Sequence, residues 1–298
     1  MAEQENLRST DIPILKYGLQ PAILVGVLTL WYFYADFPAI YPVILVGVQL
    51  LLGVLEQWFP ARRHWMQPAS EKLVNLCIVV VGVAVSVMIV VLYADIVAGP
   101  LSKFRQAVHL DIWPSDWPLL VQIFMVFFLG EFIWYWIHRA EHRWQVVWRM
   151  SGHGAHHSFK HLGAINFGAN HPMESFVLVL PAAIVELIFG VGIAAAGAAV
   201  FSATQASIAH ANLTLNSKWI GWLFTTNNYH IRHHSIVLEE SNTNYGCSAI
   251  LWDRIFGTFV DSPIVEAGIG PTEPDLWSKF LMPLREPVDS EIAPGLET

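Results

Sequence analysis

Residues 117–142 read WPLLVQIFMVFFLGEFIWYWIHRAEH. The stretch from Trp117 to Ile137 is almost entirely apolar, and about 20 such residues suffice to cross the roughly 30 Å hydrocarbon core of a membrane. The polar end that follows carries His138 and His142 at a spacing of four, which on a helix puts both imidazoles on one face. The segment therefore predicts a membrane-crossing helix that ends in a pair of metal-ligating histidines.

Three other stretches have the length and composition of membrane-crossing helices, namely Leu19 to Ala35, Ala39 to Leu55 and Leu73 to Tyr93. Hydrophobic residues make up 54% of the chain and charged residues 13%, a balance that indicates a membrane protein. We expect the Pro- and Gly-marked segments 56–72 and 94–116 to be loops. The predicted fold is an all-α, integral-membrane bundle of four transmembrane helices within residues 17–137.

A fifth apolar stretch, Ser175 to Ala209, does not fit a simple crossing. Its 35 residues would extend about 52 Å as one continuous helix, and a single crossing would separate His210 from the other histidines. We therefore expect a re-entrant or shallow hairpin that turns near Gly190 and Gly192. Glu186 is expected to face protein within it, because a charge deep in lipid costs a few kcal/mol.

The distribution of lysine and arginine predicts which side of the membrane carries the histidines. If the four spans form two hairpins, all 16 Lys and Arg residues except Lys103 and Arg105 lie on one side. The positive-inside rule makes that side cytosolic. This predicts a multi-pass protein with both termini and every histidine cluster in the cytosol. The first residues are polar and mixed in charge, unlike a secretory signal, so the first apolar segment is expected to remain as an anchor.

Two further clusters repeat the pattern H-x-x-H-H, at His153, His156 and His157 and again at His230, His233 and His234. On a helical turn the outer two histidines point one way and the middle one in a neighbouring direction, so each triplet can serve two adjacent ions. Neutral imidazole suits Zn, Cu, Fe and Ni. The alternative is a solvated or pH-sensing patch. We favour metal binding, because clustered imidazolium groups repel one another unless they are deprotonated and coordinated.

Two isolated histidines lie at the ends of the predicted hairpin. His210 is either a buried hydrogen-bonding group or a ninth ligand, and we favour a ligand, because two metals with four or five nitrogens each need about nine. His171 is expected to support a ligand from behind rather than to bind metal itself.

Between Glu131 and Phe259 the chain carries, in order, HRAEH, HGAHH, NHPMES, AHAN, NYHIRHHS, NYG and WDRIFGTF. With these motifs it resembles the fatty acid hydroxylase/sterol desaturase superfamily of integral-membrane, non-haem di-iron enzymes. The resemblance implies O2-dependent hydroxylation or desaturation of an unactivated C–H bond in a lipid. It also implies a cytosolic, histidine-rich, helical di-metal region that caps the membrane bundle.

Within that resemblance, residues 131–260 form the catalytic region and residues 261–298 a polar tail. Because apolar runs and histidine clusters interleave along the chain, we interpret residues 1–298 as a single domain.

The resemblance also implies a ligand set. Nine histidines are expected to hold two Fe ions, with Zn as an alternative occupant: His138, His142, His153, His156, His157, His210, His230, His233 and His234. Ala209 stands where many relatives carry a further histidine, which favours nine ligands over ten. Asn212, Asn244 and Tyr245, with His171, are candidates for supporting those ligands.

The implied partners are a membrane lipid substrate, O2 and an external electron donor, which is a cytochrome b5-like protein, a ferredoxin or a reductase. A donor is needed because the sequence has no flavin or dinucleotide glycine fingerprint. The net charge of −8 argues against a nucleic-acid partner.

Two alternatives remain open. One is a zinc-occupied or ether-cleaving relative. The other is a non-enzymatic membrane metal-binding or transport protein, although a transporter places its ligands near the membrane midplane and the clusters here follow the spans. Sterol, fatty acyl, ether lipid, carotenoid and aminolipid substrates are all compatible with the sequence.

Overall fold

The computed structural model describes residues 12–284 except positions 38, 111, 217 and 265. Its long helices are α1 (Pro13–Tyr34), α2 (Ile40–Trp58), α3 (Ala69–Tyr93) with its continuation α4 (Gly99–Ala107), and α5 (Leu119–Arg143). They give four helices long and apolar enough to cross a membrane, at the positions predicted. The described residues form no strand, so the all-α prediction is confirmed.

The prediction of a loop beginning at residue 94 is wrong over the segment 94–107. A π-helical turn, Ala94–Ala98, leads from α3 directly into α4. Pro100 follows this π-helical turn within the continuous helical stretch Ala69–Ala107, so its missing N–H leaves one hydrogen bond of the regular helix unmade at this place. The proline that predicted a break therefore lies where the helix departs from regular α geometry and then continues.

Short helices follow α5 and carry the first histidine triplet. They are α6 (Gln145–Ser151) and α7 (His153–His157), and Gly152 joins them with a φ of 76°. Glycine is required there for two reasons. The backbone is left-handed, and a Cβ at this position would lie 2.5 Å from Cβ of His171.

The apolar stretch after His171 forms a helical hairpin of α8 (Glu174–Phe189) and α9 (Ile193–His210). The predicted turn is confirmed, because Gly190 and Gly192 have φ values of 64° and 60°. The half-buried Glu186 lies beside this turn, and its Oε2 accepts a hydrogen bond of 2.9 Å from the backbone N–H of Gly192.

Helix α9 lies inside the bundle and packs against α1, α2 and α5. Small residues make this close approach possible. A Cβ at Gly197 would lie 2.6 Å from Cδ1 of Ile123 and 2.9 Å from the ring of Trp31. The buried end of α9 therefore delivers His210 into the interior of the protein rather than to its surface.

The remaining helices are short and surround the end of the bundle. They are α10 (Asn227–His233), α11 (Leu238–Ser241), α12 (Leu251–Phe256) and α13 (Leu276–Phe280). Helix α10 contacts α9 directly. This contact brings the second histidine triplet beside His210.

Candidate metal centre

The structure brings all nine predicted ligand histidines together in two groups. The five-histidine group consists of His138, His142, His153, His157 and His233, and the four-histidine group of His156, His210, His230 and His234. Within each group the candidate ligand nitrogens all lie within 4.8 Å of one another. None of the nine side chains belongs to a residue more than 6% exposed. The two groups adjoin, since the rings of His157 and His234 are stacked 4.3 Å apart.

Helical spacing explains how the two triplets are divided. On α7, His153 and His157 are one turn apart and join the five-histidine group, whereas His156 joins the other group. The triplet at α10 is divided in the opposite sense. There His230 and His234 join the four-histidine group, and His233 joins the five-histidine group. Each short helix thus contributes to both groups.

The Nε2 atoms in the five-histidine group face one another at close range. Nε2 of His138 lies 2.9 Å from that of His153 and 3.0 Å from that of His233. The four-histidine group repeats the pattern, with Nε2 of His210 lying 3.1 Å from that of His156 and 3.0 Å from that of His230.

The opposite ring nitrogens determine which Nε2 atoms carry no proton. Nδ1 of His138 lies 2.6 Å from the carbonyl oxygen of Tyr245, Nδ1 of His233 lies 2.9 Å from that of Thr243, and Nδ1 of His210 lies 2.8 Å from that of Ala206. A carbonyl oxygen only accepts, so each Nδ1 donates the proton. In the neutral ring the lone pair of Nε2 then points into its group.

These facing lone pairs test whether the residues fit a metal ion. Two acceptor nitrogens about 3 Å apart repel each other unless a cation lies between them. Two nitrogens each about 2.1 Å from one ion and at right angles to each other are about 3.0 Å apart. The observed spacing and the all-imidazole donor set therefore fit a transition-metal ion in each group.

Burial prepares the histidines outside the membrane spans for coordination. It lowers the pKa of each ring, to about 4 for His210, and neighbouring histidines lower the pKa of most of the others further. These rings are neutral near pH 7, so a metal ion has few protons to displace.

The loop that contains Tyr245 is held by a buried carboxyl group on α12. Asp253 accepts hydrogen bonds from the backbone N–H groups of Tyr245 and Gly246, at 2.8 and 2.7 Å, and from Oγ1 of Thr258 at 2.6 Å. Burial raises the pKa of Asp253 to about 6. Asn244 has a φ of 55° and bonds through its side chain to the backbone of Tyr229 and Val260. The structure therefore places the predicted residue Tyr245 directly behind His138, and the predicted residue Asn244 holds the same loop.

The side chains of the other two predicted support residues bond to backbone groups. The Asn212 side chain bonds to the backbone of Arg62 in both directions, at 2.9 Å each way. The His171 ring lies 2.9 Å from the carbonyl oxygen of Phe280 through Nε2 and accepts from the backbone N–H of Met173. Asn212 thus joins the end of α9 to the segment after α2, and His171 joins α13 to the start of α8.

Sequence reasoning missed two carboxyl groups beside a ligand histidine. Oε1 of Glu174 lies 2.7 Å from Nδ1 of His153, and Oε2 of Glu141 lies 3.7 Å from the same atom. Both belong to motifs quoted above, HRAEH and NHPMES, but sequence spacing alone does not bring residues 141 and 174 together. Burial and the neighbouring carboxyl group of Glu141 raise the pKa of Glu174 well above its ordinary value.

The arrangement can hold two adjacent ions at the end of an apolar helical bundle, out of contact with bulk water. Such a site suits the oxidation of an apolar molecule that reaches it from the bilayer.

Comparisons with known proteins agree with this chemistry. The family model described as fatty acid hydroxylase matches residues 123–258. An ornithine lipid hydroxylase from Rhizobium tropici is 28% identical over 254 residues, which cover 82% of this chain and 75% of that protein. No solved structure matches the chain.

Two alkylglycerol monooxygenases match about half of this chain. The protein from Xenopus tropicalis is 30% identical over 154 residues, or 50% of this chain and 32% of its own length. The protein from Danio rerio is 27% identical over 153 residues, or 49% of this chain and 31% of its own length. The chain therefore spans about a third of these two relatives.

Proposed function

The chain fits the fatty acid hydroxylase superfamily, and on this premise we propose that it is an O2-dependent di-iron oxidoreductase. It hydroxylates or desaturates an aliphatic C–H bond of a membrane lipid. The observation that carries the proposal is the pair of buried histidine groups at the end of an apolar bundle. Relatives named as lipid hydroxylases and monooxygenases support an oxygenase.

The protein's own residues hold and orient the metals. The five-histidine group holds one iron and the four-histidine group holds the other. Bound iron supplies O2 activation for C–H oxidation. The carbonyl groups behind His138, His210 and His233 keep those rings turned inward, and burial keeps bulk water away from the site.

We place the substrate among membrane lipids with an amino-acid head group. The similarity to the ornithine lipid hydroxylase extends over 82% of the chain, well beyond the share that residues 123–258 of the family match represent. An alkyl chain dissolved in the bilayer reaches the metal centre laterally, along helices whose outer faces are apolar, such as α3 with exposed Val80, Val81 and Met88.

The electrons come from outside the chain. Hydroxylation consumes O2, two electrons and two protons for each alcohol and water formed, and an external cytochrome b5-like protein, ferredoxin or reductase supplies the electrons. The bias of Lys and Arg toward the histidine side supports a multi-pass topology with that side in the cytosol. A cytosolic donor then reaches the site without crossing the membrane.

A second candidate is oxidation of an ether lipid. It rests on the similarity of half the chain to alkylglycerol monooxygenases. Oxygen insertion at the carbon beside the ether oxygen would lead to cleavage of the ether rather than to a stable lipid alcohol.

Two measurements test the proposal. Elemental analysis of the purified protein should find about two irons per chain, and His156→Ala should abolish activity. Less than about one iron per chain together with full activity of H156A refutes it. Lipid profiles of strains with and without the gene then separate the candidates: loss of a hydroxylated aminolipid supports the first, and accumulation of an intact ether lipid supports the second.

A further inference from the structure

His153 differs from the other ligand histidines in what lies behind its ring. The outer nitrogens of His138, His210 and His233 meet backbone carbonyl groups. Nδ1 of His153 instead meets a carboxyl group, Oε1 of Glu174, at 2.7 Å. Both residues are at most 2% exposed, so water does not compete for this hydrogen bond.

The front of the same ring occupies a central position in the five-histidine group. Nε2 of His153 lies 2.9 Å from Nε2 of His138 and 3.2 Å from Nε2 of His142. A rotation of the His153 ring would therefore disturb the ligand geometry on α5 as well as that on α7. The hydrogen bond behind the ring acts on the whole group.

The Glu174 carboxyl group is held in place from several directions. Glu174 begins α8, and the turn before it is tied by the bond between His171 and the carbonyl oxygen of Phe280. The close approach of Gly152 to His171 sets that turn against the start of α7. Tertiary contacts therefore fix the position of the Glu174 carboxyl group beside His153.

We propose that Glu174 is a positioning residue for the metal site: its Oε1 accepts the Nδ1–H of His153 and keeps Nε2 aimed into the five-histidine group. The Glu141 carboxyl group lies beside the same nitrogen, with Oε2 at 3.7 Å. The inference rests on the proposed function in one respect, that the histidine groups bind metal. Carboxyl groups behind metal-ligating histidines contribute about 10–100-fold to metal affinity.

The test compares three variants of the full-length protein in detergent. Glu174→Met removes the acceptor at similar volume, Glu174→Gln keeps an oxygen that accepts from Nδ1–H, and Glu186→Met is the control on the same helix. The Glu186 carboxyl group contacts the backbone of Gly192 and no histidine. Circular dichroism and gel filtration establish that each variant is folded, and Glu174→Ala replaces E174M if that protein aggregates.

The readout is iron retained against increasing concentrations of a chelator. E174M should release one of two irons at a chelator concentration about 10–100-fold lower than wild type. E174Q and E186M should follow the wild-type curve. Unchanged retention in E174M overturns the inference, and so does equal loss in E174Q and E174M, because charge rather than positioning would then be responsible.

Double variants identify which iron is affected. Combined with His157→Ala, which damages the five-histidine group, E174M should cause little further loss, whereas combined with His210→Ala it should remove the second iron. The reverse result overturns the assignment to the five-histidine group. A wild-type protein that binds no metal refutes the proposed function itself. A wild type with two irons and an unaffected E174M refutes only the role of Glu174.

Discussion

Replacement of Asp253 by alanine should both destabilise the fold and loosen the metal site. The fully buried carboxyl group accepts three hydrogen bonds, from the backbone N–H groups of Tyr245 and Gly246 and from the Thr258 hydroxyl. Each buried donor left without a partner costs about 1–3 kcal/mol. The free energy of unfolding should therefore fall by about 3 kcal/mol if water enters the space left by the side chain, and by more if water does not enter.

The same substitution should reach the metal site through the backbone. The carbonyl group of Tyr245 accepts from Nδ1 of His138, so a displaced loop loses the group that orients this ring. D253A should therefore retain less iron than wild type even at temperatures where it stays folded. Asp253→Asn, which keeps one acceptor oxygen, should lose less stability and less iron than D253A.

The free energy of unfolding is measured in mixed detergent micelles by tryptophan fluorescence, and the iron content is measured by elemental analysis. Asp261→Ala is the control, because Asp261 is exposed and surface substitutions usually change stability by less than about 0.5 kcal/mol. A loss below about 1 kcal/mol in D253A, with full iron content, refutes the role assigned to this carboxyl group.

Three further predictions concern the histidine groups and the turn before α7. His156→Ala and His157→Ala, although adjacent in sequence, should each release a different iron, and the double variant should release both; a double variant that still holds one iron refutes the division of the triplet. The metal-free protein should lose stability as the pH falls from about 6.5 to about 4. Burial lowers the pKa of His210 to about 4, so between pH 6.5 and pH 4 the unfolded chain binds a proton that the folded protein does not. The folded protein therefore loses roughly 3 kcal/mol of stability as the pH falls through this range. A melting temperature that rises on acidification contradicts the assignment. Gly152→Ala should destabilise the protein by more than Gly257→Ala in thermal unfolding: both glycines have a φ near 76°, but a Cβ would meet a side chain at 2.5 Å only at Gly152, and equal losses would show that this contact has no cost.

Much of the fold follows from sequence because its signals are local. An apolar run of about 20 residues predicts a span wherever it lies, and Gly190 with Gly192 predicts the turn of the hairpin. The error at segment 94–107 has a local cause as well. Pro100 predicted a break, but a proline can also lie within a helix whose regular hydrogen bonding is interrupted locally, and the sequence does not distinguish the two cases.

The histidines of the site were recognisable from sequence for the same reason, since spacings of three and four on a helix place ligands on related faces. Sequence by itself determined the membrane character of the chain, its helical class and its nine candidate ligands. Helical spacing separates the outer from the middle histidines of each triplet, but tertiary structure alone decided which of them meet in the group of five and which in the group of four. It also decided that Glu174 and Glu141 lie behind His153 and that Asp253 supports the loop behind His138. The physical reason is that these contacts join residues on different helices, and their distances depend on how the helices pack rather than on any repeat along the chain.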